Sequence, residues 1–391
     1  MKHILDILKK PKVKVIGLMS GTSADGIDAV LVEIDKKNLK PKELLFKTYP
    51  YPEKLKQKIL QVSTASNPNL DEILRLNFVL GEYFSAAALK LLKGSKYKIE
   101  NVDLIGSHGQ TIRHLPRLTP ILRGKKIRAT FQVAEPAVIA KRTGVITVAD
   151  FRTADIAVGG QGAPLVPYPH FLLFGESKKG TAILNIGGIA NITAWSKNSS
   201  QIMAFDTGPG NMLSDFLIKK LFHKDFDRNG RAALSGKVNL SLLKWPLRHP
   251  YFSKKPPKSS GREEFGENFA RKFSEQAQKL RVNKTDIITT AGELTVQAVF
   301  LAYLKFIQPK FKVEKLFLTG GGEKNLYFKK RLKEMLKPVK VESVNTLGFN
   351  PDSLEAVSFA LLGYLTILGR PGNLASATGG KPTILGKICL P

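Results

Sequence analysis

The sequence predicts a two-domain α/β protein, and three observations support that fold class. Two strand–glycine turn–strand units lie roughly 170 residues apart, which indicates a weak internal duplication. A later strand runs through the glycine-rich turn 319–322 into a helix. The chain of 391 residues is long enough for two domains. We predict that residues 1–140 and 370–391 form domain I and that residues 141–369 form domain II.

The first of these units opens the chain. An apolar strand from Val13 to Met19 breaks into the turn 20–26, and a second strand follows from Ile27 to Ile34. A turn with two glycines and three hydroxyl side chains packs a core poorly, but it brings backbone N–H groups and hydroxyls close to an anion. The alternative is an ordinary hairpin, and this segment alone does not decide between the two.

A helix and a polar turn are predicted next. Residues 70–92 have the apolar spacing of a helix that Asn69 or Asp71 would cap. A short strand at 102–105 then leads into a glycine-rich turn at 106–111. Ligand contacts in α/β proteins lie where strands end. We therefore expect His108 to be a site residue, the alternative being a histidine that only shapes its turn.

The middle of the chain carries two aspartates before a glycine-rich segment. After a short helix at 136–143, a strand at 145–149 leads directly to Asp150, Arg152 and Asp155. The segment 159–164 contains glycine or proline at four of its six positions. Its apolar surroundings indicate a rigid active-site loop rather than a linker.

The second half repeats the opening pattern. A strand at 181–186, a Gly187-Gly188 turn and a return strand at 189–195 precede a strand at 202–205 that ends in Asp206. The remaining predicted elements are a helix from about 212, a capping box of Ser260 with Glu263, a helix at 285–303, a strand at 316–318, helices at 325–336 and 355–368, and a loop-rich tail from 372.

Composition limits the classes of function. The formal net charge is +29, but the lysines are scattered near loops, so we expect no specific nucleic-acid partner. The single cysteine, Cys389, allows no internal disulfide, which fits a reducing compartment. The longest apolar stretch, 356–368, is short for a membrane span, and the N-terminus lacks the pattern of a signal peptide. We therefore expect a cytoplasmic protein without a membrane partner.

Familiar nucleotide and metal motifs are absent from the sequence. It contains no Walker A motif, no GxGxxG after a strand, no HExxH and no CxxC. The remaining features that could bind a nucleotide are two glycine hairpins with nearby aspartates and a late strand–GGG–helix. This order resembles the actin-like (ribonuclease H-like) ATPases, including sugar kinases and Hsp70-type proteins. The resemblance implies an ATP and substrate cleft between two domains.

Nine ordered segments make the resemblance more specific. They are GLMSGTSADGID (17–28), GSHGQT (106–111), ADFRTADIAVGGQGAPL (149–165), LNIGGIANIT (184–193), DTGPGN (206–211), PPKSSGRE (256–263), TGGGEKN (319–325), EAVSFALL (355–362) and RPGNL (370–374). Together they resemble the anhydro-N-acetylmuramic acid kinase family over nearly the whole chain. The sequence departs from the family's usual pattern in its high basic charge and in Ala134, where glycine is usual.

The family implies a reaction with two events. Water attacks C1 of 1,6-anhydro-N-acetylmuramic acid, the bridge to O6 opens, and O6 takes the γ-phosphoryl group of ATP. Such chemistry needs a base for the water and electrostatic support for the phosphates. The resemblance assigns the base to Asp155. Two alternatives stay open: a structural Asp155 that caps its loop, and a competing carboxylate at Asp150.

The resemblance also implies contacts to ATP, to Mg²⁺ and to the sugar. Predicted sugar contacts are His108, Gln110, Thr111 and Glu355, although Glu355 equally suits the first turn of its helix. Asp25 and Asp28 would contact a hydrated Mg²⁺ or stabilise their turn, and no protein-bound metal is firmly assigned. The predicted ATP-binding residues are Gly21, Thr22, Ser23, Ala24, Asp25, Gly26, Ile27, Asp28, Gly187, Gly188, Asp206, Gly208, Gly320, Gly321 and Gly322.

The predicted function is therefore an ATP-dependent sugar kinase of peptidoglycan recycling. The main alternative is an actin-like ATPase with a macromolecular partner, and a nucleic-acid binder rests on charge alone. The dense segment 149–165 exceeds what ATP binding needs, which favours the kinase. The sequence leaves a homodimer open.

Overall fold

A computed structural model describes residues 2–121, 124–175, 180–196 and 202–391. The described residues form twelve strands and fifteen α-helices. The strands are β1 (Lys12–Ser20), β2 (Gly26–Asp35), β3 (Pro41–Pro50), β4 (Leu104–Pro120), β5 (Lys126–Val133), β6 (Thr147–Ala149), β7 (Gly180–Ile186), β8 (Ile189–Trp195), β9 (Met203–Pro209), β10 (Val313–Thr319), β11 (Lys340–Ser343) and β12 (Lys387–Cys389).

The helices lie between these strands in both halves of the chain. They are α1 (Lys2–Lys9), α2 (Glu53–Thr64), α3 (Leu70–Leu92), α4 (Pro136–Thr143), α5 (Phe151–Ala157), α6 (Pro167–Phe174), α7 (Asn211–Phe222), α8 (Arg231–Ser235), α9 (Leu240–Lys244), α10 (Arg262–Phe265), α11 (Glu267–Lys279), α12 (Lys284–Ala302), α13 (Leu326–Met335), α14 (Leu354–Ile367) and α15 (Ala375–Thr378).

The chain divides into two compact units. The first comprises Met1–Leu173 and Ser353–Pro391, and the second comprises Phe174–Asp352. These bounds differ from those predicted, which ended domain I at 140 and resumed it at 370. The first unit gains β6 because this strand pairs with β4 in parallel.

Helix α14 belongs to the first unit for a packing reason. A Cβ added at Gly17 of β1 would lie 1.9 Å from the carbonyl oxygen of Ala356 in α14. One added at Gly106 of β4 would lie 2.2 Å from the carbonyl oxygen of Phe359. Because both strand positions lack a side chain, the helix backbone lies directly on the sheet. The sequence patterns predict the helix, but they do not predict its close approach to the sheet.

The two units share one strand topology. In the first, β1, β2 and β3 form an antiparallel meander, and β4 and then β6 add in parallel on the other side of β1. In the second, β7, β8 and β9 form the meander, and β10 and β11 add in parallel beside β7. This is the ribonuclease H-like strand order in both units. The predicted actin-like α/β fold class and the internal duplication are confirmed; the interdomain cleft remains a prediction.

Several predicted elements match the structure closely. Helices α3 and α4 have the predicted bounds, and the Asn69 side chain accepts a hydrogen bond from Glu72 N–H at the start of α3. The predicted capping box of Ser260 with Glu263 is wrong. Helix α10 begins after Gly261 and has no side-chain cap, since the Ser260 N–H instead bonds Asp206.

The predicted turn at 106–111 is also wrong, because these residues lie inside the long strand β4. Its pairing with β1 shifts register between Leu18 and Ser20. Gly109 has a φ of 72°, and a Cβ there would lie 2.5 Å from the carbonyl oxygen of Val133. The segment is thus a bulged strand that needs glycine at position 109. Its glycines and polar residues match the pattern of a turn, and the sequence therefore predicts a turn there. Nearby Ala134 has a φ of 111°.

Each unit has its own hydrophobic core. In the first, α3 packs against the meander and buries residues such as Leu80 and Phe84. In the second, α12 is the central helix. Residues Lys284–Ile307 are apolar and long enough to cross a membrane by length and composition, but 78% of the apolar window is buried inside the unit. That burial is the packing of a core helix.

Candidate active site

The turn of the first hairpin presents three residues to solvent. It joins β1 to β2, and its Thr22 and Ser23 are exposed. A Cβ added at Gly21 would meet only the Ser23 hydroxyl, at 4.0 Å. A glycine with space beside its Cα and two exposed residues with hydroxyl side chains therefore lie in this turn, which is a composition that an anion can approach.

The other predicted ATP residues of this segment support the turn. Ala24 and Ile27 are buried, and a Cβ at Gly26 would lie 2.4 Å from the carbonyl oxygen of Tyr49. Asp25 is exposed and pairs with Lys56 at 2.5 Å, whereas Asp28 accepts a 2.6 Å hydrogen bond from the Thr48 hydroxyl. Their carboxylates face the surface, while Ala24, Gly26 and Ile27 face the core.

Gln110 fixes the shape of this hairpin. Its side-chain amide donates to the carbonyl oxygen of Gly21 at 3.1 Å. Its Oε1 lies 2.7 Å from the buried hydroxyl of Ser20, which is also 2.7 Å from the carbonyl oxygen of Gly26. Gln110 is itself buried, so the structure uses it to hold the turn. A direct sugar contact for Gln110 stays a prediction.

His108 is buried, and both of its ring nitrogens have hydrogen-bond partners. Its Nδ1 lies 2.9 Å from the carbonyl oxygen of Gly109, and its Nε2 accepts a 3.0 Å hydrogen bond from Nε of Arg152. This pattern sets the neutral tautomer with a proton on Nδ1. Burial and then the Arg152 charge hold the pKa of His108 well below its ordinary value. His108 therefore orients Arg152, and a direct sugar contact is not supported by this geometry.

Arg152 is half-buried and was not among the site residues predicted from the sequence. Besides His108, it donates to the carbonyl oxygen of Gly162 at 2.8 Å. Burial lowers the pKa of Arg152 to about 10, and the charges of Glu355 and Asp155 oppose that shift. Arg152 and Glu355 therefore interact electrostatically within the first unit, and only the fold brings them together.

Thr111, another predicted sugar contact, is also half-buried and accepts a hydrogen bond of 3.3 Å from Gln132.

Asp155 is fully buried in α5, with its carboxylate enclosed by hydrogen-bond donors. Oδ1 accepts hydrogen bonds of 2.6 Å from both the Asn373 amide and the Thr378 hydroxyl. Oδ2 accepts one of 2.8 Å from Gly162 N–H. The exposed fraction of Asp155 is 0%. Through these hydrogen bonds Asp155 ties its glycine-rich loop to the C-terminal segment, and its role as the base stays a prediction.

In the second unit, the predicted glycine hairpin and the GGG turn lie together. The Gly187-Gly188 turn follows β7, and the 320–322 turn follows the parallel strand β10. A Cβ at Gly320 would lie 2.2 Å from Oδ1 of Asn185, and one at Gly322 would lie 2.4 Å from the Ile186 side chain. Ligands of α/β proteins bind at such carboxyl ends of parallel strands.

Two of these glycines are open towards possible ligands, whereas Gly208 is not. The nearest atom to a Cβ at Gly187 would be 3.6 Å away, and at Gly321 it would be 3.8 Å away. Gly208 has a φ of 154° and faces the Phe252 ring, which a Cβ would approach to 2.8 Å. Gly187 and Gly321 can therefore meet a nucleotide directly, and Gly208 serves packing.

Asp206 is the half-buried carboxylate of this unit. Its Oδ2 accepts a 2.8 Å hydrogen bond from Ser260 N–H. Burial raises the pKa of Asp206 to about 7, the Ser260 hydrogen bond opposes this, Glu263 adds to it, and Lys258 opposes it. A carboxylate that titrates near neutral pH is suited to take a proton from water. The segment 258–260 around it could not be located from sequence, because only folding places it there.

The residues that the structure describes form no cluster of side chains that could bind a metal ion by themselves. Among the described residues, no group of three or more His, Cys, Asp or Glu side chains is placed to hold a metal ion. Magnesium that arrives with a nucleotide needs only one or two carboxylates besides phosphates and water. The exposed Asp25 carboxylate fits that requirement.

Comparison with known proteins decides the family. The family model of anhydro-N-acetylmuramic acid kinase matches residues 13–391. The chain belongs to the anhydro-N-acetylmuramic acid kinase family. A relative of that name from Caldanaerobacter subterraneus subsp. tengcongensis is 45% identical over 397 residues, covering 100% of both chains. Membership makes the chain a kinase, which transfers a phosphoryl group from ATP to a small molecule.

Further members of the anhydro-N-acetylmuramic acid kinase family align almost end to end. The one from Clostridioides difficile is 42% identical over 378 residues, or 95% of this chain and 97% of the relative. The one from Bacillus thuringiensis is 40% identical over 384 residues, or 96% of this chain and 99% of the relative. Both units described above therefore lie within the part shared with the family.

Proposed function

We propose that this chain uses ATP to convert 1,6-anhydro-N-acetylmuramic acid into N-acetylmuramate 6-phosphate and ADP. The full-length family match carries this proposal. The product is a sugar phosphate from cell-wall material, so the reaction would serve peptidoglycan recycling in the cytoplasm. The main alternative, an ATPase that acts on a macromolecular partner, has no structural observation in its favour.

The exposed glycine turns would hold the ATP. In the first unit the candidate phosphate contacts are Gly21, Thr22 and Ser23, and in the second unit the candidate nucleotide contacts are Gly187 and Gly321. Mg²⁺ bound with the nucleotide would neutralise phosphate charge, and Asp25 and Asp28 would hold it through water. Backbone amides beside glycine suit phosphates because a side chain would keep the oxygens away.

We propose Asp155 as the base, which is the role that the family resemblance implies for it. Its carboxylate would take a proton from the attacking water as the water oxygen bonds C1. The C1–O6 bond breaks and its electron pair stays on O6, which attacks the γ-phosphorus as the bond to the ADP oxygen breaks. Hydrogen bonds from Asn373, Thr378 and Gly162 fix the orientation of the Asp155 carboxylate, and the half-buried Asp206, whose pKa burial raises to about 7, is the competing carboxylate.

A reaction in ¹⁸O-water tests the reaction itself. We expect the label in the C1 hydroxyl of the product sugar phosphate, because water attacks that carbon. Label that appears only in free phosphate would mean plain ATP hydrolysis and would contradict the proposal. Stimulation by a macromolecule but not by the anhydro-sugar would favour the alternative ATPase.

Paired variants test the assignment of the base. We expect Asp155→Asn to bind ATP normally and to lose turnover by roughly 10³-fold or more, beyond the usual share of general base catalysis because the carboxylate charge is also lost. Asp206→Asn should show a smaller loss of turnover in the folded fraction. The reverse pattern would assign the base to Asp206.

A further inference from the structure

Asn211 lies between the two glycine turns of the second unit and is not among the predicted site residues. It is half-buried at the start of α7. Its side-chain amide nitrogen donates a 3.1 Å hydrogen bond to the carbonyl oxygen of Ile186, the residue that precedes the Gly187-Gly188 turn. A Cβ added at Gly321 would lie 3.8 Å from the same amide nitrogen, which is its nearest atom beyond the adjacent residues. One side chain thus borders both turns.

The carbonyl group of Ile186 is the point where the two turns meet. A Cβ at Gly320 would lie 3.1 Å from this carbonyl oxygen, and one at Gly322 would lie 3.0 Å from it. The GGG turn can therefore close around the end of β7 because it lacks side chains. Asn211 donates its hydrogen bond to the same oxygen, so its amide is fixed at this meeting point.

The backbone donors at the start of α7 are already used by the hairpin. Asn211 N–H donates to the carbonyl oxygen of Gly187 at 2.8 Å, and the N–H groups of Gly210 and Met212 donate to that of Gly188 at 2.9 Å and 3.2 Å. A Cβ at Gly210 would lie 2.3 Å from the carbonyl oxygen of Gly187, so the helix start packs directly against the turn. These three backbone N–H groups are therefore not available to a ligand.

The side-chain amide of Asn211, in contrast, keeps one donor for a ligand. A carbonyl oxygen only accepts hydrogen bonds, so the amide nitrogen rather than Oδ1 must face Ile186. The nitrogen carries two hydrogens, and Ile186 accepts one of them. Among the residues that the structure describes, none accepts a hydrogen bond from the second. A ligand atom in the open space beside Gly321 can accept it.

We propose that Asn211 is a nucleotide contact whose second amide N–H donates to a phosphate oxygen of ATP. This inference rests on the proposed function, in which Gly187 and Gly321 contact the nucleotide. A phosphate oxygen is an anionic acceptor, and a hydrogen bond to a charged group is roughly twice as strong as one between neutral groups. Because Ile186 already fixes the amide, the side chain loses little freedom when the nucleotide binds.

Calorimetric titration of three variants with ATP tests this contact. We expect Asn211→Ala to bind ATP at least about ten-fold more weakly, because the donor is lost. Asn211→Asp should bind ATP more weakly than Asn211→Ala does, because a carboxylate of the same shape repels the phosphates.

Thr295→Val is the matched control for these variants. The buried Thr295 hydroxyl donates to the carbonyl oxygen of Gly210 at 3.0 Å, so its removal takes a hydrogen bond from the same helix start without removing a donor that a ligand can reach. We expect a lower melting temperature and a change in ATP affinity of less than about two-fold.

Three results would overturn the inference. The first is an ATP affinity in Asn211→Ala equal to that of the wild type. The second is an Asn211→Asp variant that binds ATP as well as Asn211→Ala or better, which would mean that the side chain meets no phosphate. The third is a loss in Thr295→Val as large as that in Asn211→Ala, because support of the helix start would then explain both.

Gly321→Ala replaces the Asn211 variants if they do not fold. Its methyl group would lie 3.8 Å from the amide nitrogen of Asn211, in the space that the ligand oxygen needs. We expect at least about ten-fold weaker ATP binding, and an unchanged affinity would overturn the inference. A wild-type protein that binds ATP but does not convert the anhydro-sugar would contradict the proposed function alone, whereas one that binds no ATP would contradict both.

Discussion

The side-chain amide of Asn373 donates a 2.6 Å hydrogen bond to Oδ1 of Asp155 across 218 residues of sequence. The same amide donates to the carbonyl oxygen of Lys381 at 2.9 Å, and Oδ1 of Asn373 accepts from Thr383 N–H at 2.8 Å. One side chain therefore connects α5 to the C-terminal segment and shapes that segment locally. Both residues are buried, so water cannot replace these bonds.

Replacement of Asn373 should destabilise the first unit. Asn373→Ala leaves Asp155 short of one donor and leaves two backbone groups of the C-terminal segment without this partner. We expect a loss of about 3 kcal/mol in unfolding free energy, measured by denaturant titration. The control is Asn345→Ala at an exposed position, which should change it by less than about 0.5 kcal/mol. Equal effects of the two variants would contradict the structural role given to Asp155.

The open glycines of the two hairpins should affect ATP binding more than stability. Gly21→Ala and Gly187→Ala introduce a methyl group whose nearest atoms beyond the adjacent residues are 4.0 Å and 3.6 Å away, respectively. We expect melting temperatures close to that of the wild type and at least about ten-fold weaker ATP binding by calorimetry, equivalent to about 1.4 kcal/mol.

Gly26→Ala provides the contrast within the same hairpin. Its methyl group would lie 2.4 Å from the carbonyl oxygen of Tyr49, so β2 or β3 must move. We expect a lower melting temperature for this variant. Unchanged ATP affinity in Gly21→Ala and Gly187→Ala would remove those two turns from the nucleotide site.

His108 should make the fold sensitive to acid. Its pKa is depressed in the folded state, chiefly by burial, so below pH 6.5 the unfolded chain binds a proton that the folded chain does not. Its contribution is therefore fully present above the unfolded pKa and is lost as pH falls below it. The expected slope is about 1.4 kcal/mol per pH unit.

His108→Gln should lower the total slope by that amount while keeping a polar group near Arg152, and His114 and His170, whose pKa values burial lowers to about 4 and about 3, should continue to contribute. The measurement is the unfolding free energy between pH 6.5 and pH 5 for both proteins. A slope that is the same in the wild type and the variant would mean that His108 is protonated in the folded state, contrary to the tautomer assigned from its contacts.

Local patterns in the sequence were sufficient to predict much of the fold. The apolar spacing of α3 and its Asn69 cap, and the strand–turn–strand patterns around 21–26 and 187–188, depend on neighbours within a few residues. These patterns repeat in the second half, so the sequence also indicated the duplicated topology. The nine ordered segments indicated the family, which the full-length match confirms.

The roles of individual residues required the tertiary structure. His108 and Gln110 sit in a polar, glycine-rich segment that reads as a turn, but Gly109 forms a bulge inside β4 and buries both side chains. Asp155 follows a strand end, as a catalytic aspartate would, but Asn373 and Thr378 enclose it from the other end of the chain. Sequence spacing carries no information about partners more than 200 residues away.

The sequence by itself determined that this protein is an α/β kinase with two glycine hairpins and a late glycine turn. Only the tertiary structure decided which groups surround each candidate carboxylate. Burial and long-range hydrogen bonds control the accessibility and the pKa of an aspartate, and both depend on which distant segments pack around it. In this chain those segments surround Asp155 with three hydrogen-bond donors and leave Asp206 half-buried beside Ser260.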